Sequence, residues 1–311
     1  MVHTTPQLVT VPATTPVEEI IAILSREGVI VLSDFVSEED VDAMNAEAIP
    51  EFNTALREGQ PKHLADSKVP FRQPNTDVIY GLLGRVPKAS AKVLQHPVWH
   101  AIMRHYLSGS SWDWLGDEKA YRHHSYWLHT TNGYRVRPGA GNQVLHRDEV
   151  ANCVQRSGPD SAQVMISSFI AGTNVTKRNG GTHVIPRSHL WPQDRAPTQA
   201  ETVSVEMKKG SAAFWMGSIF HGAGANICEP DEPDAHRMIF GYFGVRETLR
   251  QGEAALLAVP PEVAKDMPPE VLRLVGYYRS PSNLGGLRGK DPVDTYKPLA
   301  GYVDRWSSAT A

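Results

Sequence analysis

The sequence predicts a mostly β protein with flanking helices, built on a double-stranded β-helix core of the jelly-roll or cupin-like kind. Short runs rich in β-branched and aromatic residues follow one another between residues 125 and 245, with turn signals between them. No second alternating strand–helix series accompanies them, which argues against a parallel α/β sheet. Helical patterns are confined to the segments before and after this series.

The elements can be read in order. Residues 1–15, rich in Thr, Val and Pro, read as a flexible leader ahead of a single domain spanning 16–311. Within that domain, 16–120 is a helical N-terminal part with a lid loop, 121–246 the β core and 247–311 a C-terminal tail. Pro16 suits a first helical turn, and Ile20, Ile21, Ile23 and Leu24 form an apolar stripe that stops near Gly28. A buried strand is expected over 28–32. Ser37-Glu38-Glu39-Asp40 resembles a capping box and opens a helix reaching about Ala55. Residues 57–90 are polar and Pro-rich and read as a long irregular lid or binding loop, and a helix is expected over 90–107. The β core starts at 125–131, with a turn at Asn132-Gly133 and a strand over 134–137. Strands follow over 163–170, 203–207, 212–215 and 238–245, and Asn179-Gly180-Gly181 marks a turn. Helical pieces are expected over 250–258 and 260–274.

Composition bounds the function. Hydrophobic residues make up 41% of the 311, ample for a sizeable core. A net charge of −3 without a polybasic run gives no support for nucleic-acid or anionic-membrane binding. No apolar run approaches the length of a membrane span, and the first residues lack a basic-then-apolar signal pattern. The only cysteines, Cys153 and Cys228, fit free thiols in a reducing compartment better than a disulfide scaffold. The expectation is a cytoplasmic protein without membrane insertion.

Chemistry concentrates in Gln143-Val144-Leu145-His146-Arg147-Asp148-Glu149 and in Phe220-His221-Gly222-Ala223-Gly224-Ala225-Asn226. On a strand, His146 and Asp148 leave from the same face, so an imidazole nitrogen and a carboxylate oxygen can bind one metal ion. His221 would complete a 2-His-1-carboxylate triad, the set that leaves positions open on non-haem Fe(II). A thiolate set would have favoured zinc instead. By residue type alone, His183 and His189 are rivals. Sixteen residues after His221, Arg237 lies in an apolar strand. Buried charge needs a partner, and a planar guanidinium suits a carboxylate.

Four pieces now stand in order: Gln143-x-x-His146-x-Asp148, the run Asn179-Gly180-Gly181-Thr182-His183-Val184-Ile185-Pro186-Arg187-Ser188-His189, His221 to Asn226, and Arg237. Together they resemble the phytanoyl-CoA dioxygenase-like family of Fe(II)/2-oxoglutarate oxygenases, especially its fungal natural-product branch. The resemblance implies His146, Asp148 and His221 as metal ligands, Arg237 as anchor for the distal carboxylate of 2-oxoglutarate, and O₂ as the second cosubstrate. It places His183 and His189 outside the triad. Gln143 and Thr182 match positions that hydrogen-bond the cosubstrate in relatives, although Gln143, three residues before His146, would face away on a regular strand unless a bulge intervenes. Arg72 matches an arginine of the same region that contacts a carboxylate in some relatives. Ser211 stands where many relatives have Asp, and Arg187 where glycine is usual. Asp148 itself distinguishes this chain from related halogenases, which carry a small residue there.

The resemblance implies oxidation of an unactivated C–H bond in an apolar polycyclic terpenoid, meroterpenoid or alkaloid, and a homodimer closed by the tail. Two alternatives are a primary-metabolic oxygenase acting on an acyl-CoA or small metabolite, and a cupin-like metal-binding or isomerase protein that does not use 2-oxoglutarate. The absence of a strong basic patch disfavours the acyl-CoA.

Overall fold

The computed structural model describes residues 8–58 and 73–299. The expected contact from Arg72 therefore lies outside the described residues. The chain divides into two compact units, one of residues 1–80 and 132–241, the other of residues 81–131 and 242–311.

The β-helix consists of two sheets, most of whose residues belong to the first unit. Its larger sheet contains β1 (Thr10–Pro12), β2 (Val29–Ser33), β3 (Thr76–Tyr80), β6 (Tyr126–Val136), β7 (Met165–Ala171), β10 (Ala212–Met216) and β12 (Arg237–Arg246). The strand order is β1-β2-β10-β7-β12-β6-β3. The smaller sheet, β11-β8-β9, is made of β8 (His183–Val184), β9 (Val203–Ser204) and β11 (His221–Gly222). An isolated bridge between His146 and His221 extends it by one position. The strands β7 and β10 are buried at every residue, as expected for strands covered on both faces.

Helix α1 (Val17–Glu27) places Glu18 and Glu19 in its first turn and buries Ile20, Ile23 and Leu24. Gly28 ends it at φ 76°, its N–H donating to the Leu24 carbonyl at 2.8 Å. A Cβ at Gly28 would collide with the His189 imidazole, so the glycine also permits close packing. Helix α2 (Glu38–Glu58) is capped by Ser37, whose Oγ accepts from the Asp40 N–H at 3.1 Å.

Several expectations need correction. The leader of 1–15 was read too long, because Thr10–Pro12 pair in parallel with Val31–Ser33. The loop expected over 57–90 contains β3, and it also contains α3 (Leu82–Arg85) and the first half of α4 (Pro87–Leu94). Asn132-Gly133 is not a turn: β6 runs straight through it, paired with Tyr80 and Ile79. Neither residue has the positive φ of a tight hairpin.

In the second unit, the helix expected over 90–107 is broken into α4 and α5 (Pro97–Leu107). Pro97 cannot continue a preceding helix and instead starts the next, with His96 accepting from the Val98 N–H at 3.2 Å. The helix expected over 250–258 shortens to α6 (Ala255–Ala258). The next one splits into α7 (Pro261–Ala264) and α8 (Pro269–Val275), ahead of a short α9 (Pro292–Thr295). A hairpin of β4 (Gly109–Leu115) and β5 (Glu118–His124) was not anticipated. Trp127 and Glu247 tie this unit together, the indole N–H donating to the Glu247 carbonyl at 2.6 Å.

Candidate metal centre

His146, Asp148 and His221 converge, each offering a ligand atom within 4.8 Å of the others. Asp148 Oδ1 lies 3.5 Å from His146 Nε2 and 3.4 Å from His221 Nε2. Among the described residues no other group of three such side chains does this. The local backbone is not the regular strand expected. His146 makes only a bridge, its N–H donating to the His221 carbonyl and its carbonyl accepting from the His221 N–H, both at 2.9 Å. Asp148 already starts a 3₁₀ turn, Asp148–Asn152. Arg147 between them is extended at φ −108°, ψ 134°, which preserves the same-side placement over these two residues.

Both imidazoles are set in one tautomer. His146 Nδ1 lies 2.9 Å from the Val144 carbonyl, and His221 Nδ1 lies 3.2 Å from the Ile219 carbonyl. A carbonyl only accepts, so each Nδ1 carries the proton and each Nε2 presents a lone pair. Burial alone would raise the Asp148 carboxyl, but the two imidazoles outweigh it and hold it well below the ordinary carboxylate range. Two imidazole nitrogens and an anionic oxygen therefore face one another; burial alone would lower the His221 imidazole, but the carboxylate outweighs it and raises it. Side-chain exposures of 14%, 15% and 6% for His146, Asp148 and His221 leave the cluster open on the side of the first two.

Close backbone approach explains the glycines of the two motifs. Gly180 sits at φ 87°, and a Cβ there would come within 2.6 Å of the Gly224 carbonyl. A Cβ on Gly224 would meet the Gly181 carbonyl at 2.5 Å. The segment after His221 therefore crosses the Asn179-Gly180-Gly181 turn with no room for side chains. Gln143 holds the other flank: its N–H donates to the Ala223 carbonyl at 2.8 Å and its Oε1 accepts from the Ala223 N–H at 3.0 Å. The chain at Gln143 is irregular rather than a strand, so the facing problem does not arise. The Thr182 carbonyl accepts from Val205 at 2.7 Å, one residue before β8.

Arg237 opens β12 and is 1% exposed. Its Nε and Nη1 are buried without a hydrogen-bond partner. Burial lowers its guanidinium to about 10. Its charge reaches His183, where burial first and then Lys177 and Arg237 depress the imidazole. His183 in turn pairs with Gly222, next to His221. His183 is not part of the cluster, since its Nδ1 lies 2.5 Å from Gln199 Nε2. Nor is His189, a buried histidine whose Nε2 donates to the Ser25 carbonyl at 3.0 Å.

Sequence reasoning missed three supports. Ser167 donates to Asp148 Oδ2 at 2.6 Å. The Trp215 ring lies 5.1 Å from that of His221 and stacks on Phe169 at 4.7 Å. Arg147 lays its guanidinium over Phe220 at 4.2 Å and donates to the Ser188 carbonyl at 3.0 Å, joining the two ligand segments. A signal was present for the first: two adjacent serines inside an otherwise apolar, fully buried strand must find hydrogen-bond partners.

A β-helix core that brings a His-x-Asp pair and a distal histidine together has the ligand arrangement of the non-haem Fe(II) oxygenases. A family model described as phytanoyl-CoA dioxygenase (PhyH) matches residues 24–229, and the chain belongs to that family. It is 31% identical to the dioxygenase swnH1 of Arthroderma benhamiae, over 94% of this chain and 92% of that one. The dioxygenase swnH1 of Metarhizium robertsii is 32% identical, over 96% and 94%. Among solved structures, the non-heme alpha ketoglutarate dependent carbocyclase SnoK from nogalamycin biosynthesis shares the fold. Its TM-score is 0.54 at 19% identity, covering 76% of this chain and 86% of that one. Arg237 lies beyond the residues matched by the family model, so its reading rests on the structure.

Among the described residues no helix is long and apolar enough to cross a membrane.

Proposed function

We propose that His146, Asp148 and His221 ligate Fe(II), that Arg237 receives the distal carboxylate of 2-oxoglutarate, and that the chain oxidises an unactivated C–H bond of an apolar polycyclic natural product in secondary metabolism. The observation that carries the reading is the pair of buried guanidinium nitrogens on Arg237 left without a partner. Leaving them so is costly unless an anionic ligand supplies the acceptors. The donor set at the cluster fits Fe(II) and leaves positions open.

When bound, Fe(II) with 2-oxoglutarate and O₂ supplies the oxidant for the C–H bond, the keto acid leaving as succinate and CO₂. The protein's own share is positioning. The Val144 and Ile219 carbonyls fix the two imidazoles, and the ionised Asp148 offers an anionic oxygen between them. Arg237 pins the far end of the keto acid, with Thr182 and Gln143 proposed beside it and Arg72 as a further contact. Trp215 and Phe169 form an apolar wall against His221 that excludes water. Val144 and Val150, each two residues from a ligand, are 44% and 77% exposed and support an apolar substrate at the open side. The terpenoid, meroterpenoid or alkaloid class follows the resemblance to fungal dioxygenases.

The chain is further proposed to work as a homodimer in the cytoplasm. Exposed Trp112, Trp114, Leu115 and Tyr121 on the β4–β5 hairpin support the first, and free Cys153 and Cys228 the second.

The test is anaerobic titration with Fe(II) and 2-oxoglutarate, then oxygen exposure with a panel of polycyclic substrates and mass analysis of products. Succinate release and product gain of oxygen or loss of hydrogen are expected, and Asp148→Ala should abolish both metal uptake and turnover. Metal uptake without any binding of 2-oxoglutarate would favour a cupin-like metal-binding protein instead.

A further inference from the structure

We infer that Ser167 is a positioning residue that holds the Asp148 carboxylate in a one-oxygen binding mode and so keeps a coordination position free for the cosubstrates. The inference deepens the iron assignment above and rests on it.

The two carboxylate oxygens of Asp148 have different surroundings. Oδ1 faces both imidazole Nε2 atoms, at 3.5 and 3.4 Å. Oδ2 accepts from Ser167 Oγ at 2.6 Å, within the short range of an O–H donating to an anionic oxygen. Ser167 is fully buried. Its hydroxyl has no exchange with bulk water, so the carboxylate is its native partner.

The placement of Ser167 is also rigid. It lies in the interior of β7, in register with Trp215 of β10. The Trp215 ring packs against His221. One strand pair therefore carries the residue that orients the aspartate and the ring that backs a histidine.

The consequence is one of counting. Each protein oxygen on the ion removes one position from those open to ligands. A 2-oxoglutarate chelate occupies two positions, and O₂ needs one more. Were Oδ2 free to swing onto the metal, the carboxylate would compete with the keto acid or with O₂. A hydrogen bond to that oxygen withholds it while leaving Oδ1 available. Outer partners of metal-bound carboxylates and imidazoles act in this way, by fixing orientation rather than by touching the reactants.

The experiment uses full-length protein loaded anaerobically with Mn(II) for calorimetry and with Co(II) for visible absorption. It compares wild type with Ser167→Ala, Ser167→Cys and Ser167→Thr. The alanine and cysteine variants should bind Mn(II) with near wild-type affinity and melt close to the parent. Their affinity for 2-oxoglutarate should fall by about 10–100-fold, a loss of the size seen in metal affinity or activity when a partner of a metal ligand is removed. Their Co(II) spectra should change shape, and the threonine variant, which keeps the hydroxyl, should restore both. Unchanged 2-oxoglutarate affinity and an unchanged Co(II) spectrum in the alanine and cysteine variants would overturn the inference. So would loss of Mn(II) binding together with a lowered melting temperature in both, which would mark Ser167 as structural. Wild-type protein that fails to take up Mn(II) or 2-oxoglutarate would instead overturn the iron reading itself.

Discussion

Of the three arginines buried among the described residues of the first unit, Arg156 and Arg237 are treated in opposite ways. Arg156 is 4% exposed and fully engaged: Nε and Nη2 pair with Glu149, and the Ser161 and Ala162 carbonyls accept from Nη1 and Nη2 at 3.4 and 3.2 Å. Arg237, 1% exposed, has Nε and Nη1 without a partner. The first is a structural brace, closing the irregular loop that follows Asp148 onto Glu149. The second carries a desolvation cost with no partner for Nε or Nη1 among the described residues, which supports the proposal that it receives a ligand.

The contrast predicts opposite behaviour on truncation. Arg156→Met strands the buried Glu149 carboxylate and should cost about 3–5 kcal/mol in urea unfolding. A loss below about 1 kcal/mol would mean that the brace is not what holds the loop. Arg237→Leu should leave the ligand-free protein as stable as wild type or more so, because an uncompensated charge is replaced by apolar packing. The same variant should weaken 2-oxoglutarate binding by roughly 2–5 kcal/mol, measured by calorimetry on the metal-loaded protein. If Arg237→Leu instead destabilises the protein as Arg156→Met does, the two arginines are alike and the anchor role is lost.

Another arginine sharpens the comparison with a small effect. Arg187 holds a left-handed backbone, at φ 64°. That backbone costs a non-glycine residue roughly 1–2 kcal/mol. Its guanidinium donates to both Glu27 oxygens at 2.8 Å, which offsets the strain. Burial raises the Glu27 carboxyl, but Arg187 and Arg26 outweigh that and leave it below its ordinary value. Stability from this pair is therefore complete above the unfolded carboxyl pKa of about 4.3 and is lost as pH falls through the lower folded value. Arg187→Gly should change stability at neutral pH by less than about 1 kcal/mol, since strain relief and pair loss nearly cancel. Its thermal stability should fall less steeply than that of wild type below about pH 4. A large loss at neutral pH would show that the pair outweighs the strain.

The site was far more legible in the sequence than the framework around it. His146, Asp148 and His221 were readable because their types and motif surroundings are dictated by ligand chemistry, and this survived the failure of the regular-strand assumption. The burial of Arg237 was readable because it heads the apolar run Met238-Ile239-Phe240. The framework failed where tertiary partners decide. Asn132-Gly133 is a strong hairpin signal, yet β3 supplies a neighbour along its whole length and holds it extended. That neighbour was itself hidden in a segment taken for a loop. The β4–β5 hairpin is exposed along β4 and shows no hydrophobic alternation, although Gly116 at φ 67° does mark its turn. The broken helices were foreseeable from Pro97 and Pro268, which outrank the apolar spacing around them. Ser167 was legible only as a buried hydroxyl in need of a partner, because which partner it takes cannot be read from the strand that carries it.

The backbone bridge between His146 and His221 has a bearing on how such a chain can vary. Two reciprocal amide bonds lock the spacing of the two imidazoles, so a deletion or insertion within 144–148 or 219–222 would turn a donor toward the wrong face. The irregular stretch between Asn152 and Met165 is outside that lock. Apart from Arg156 and the carbonyls it holds, its residues can vary without breaking that bridge, which gives this scaffold a place to reshape what it accepts while the reacting centre stays put.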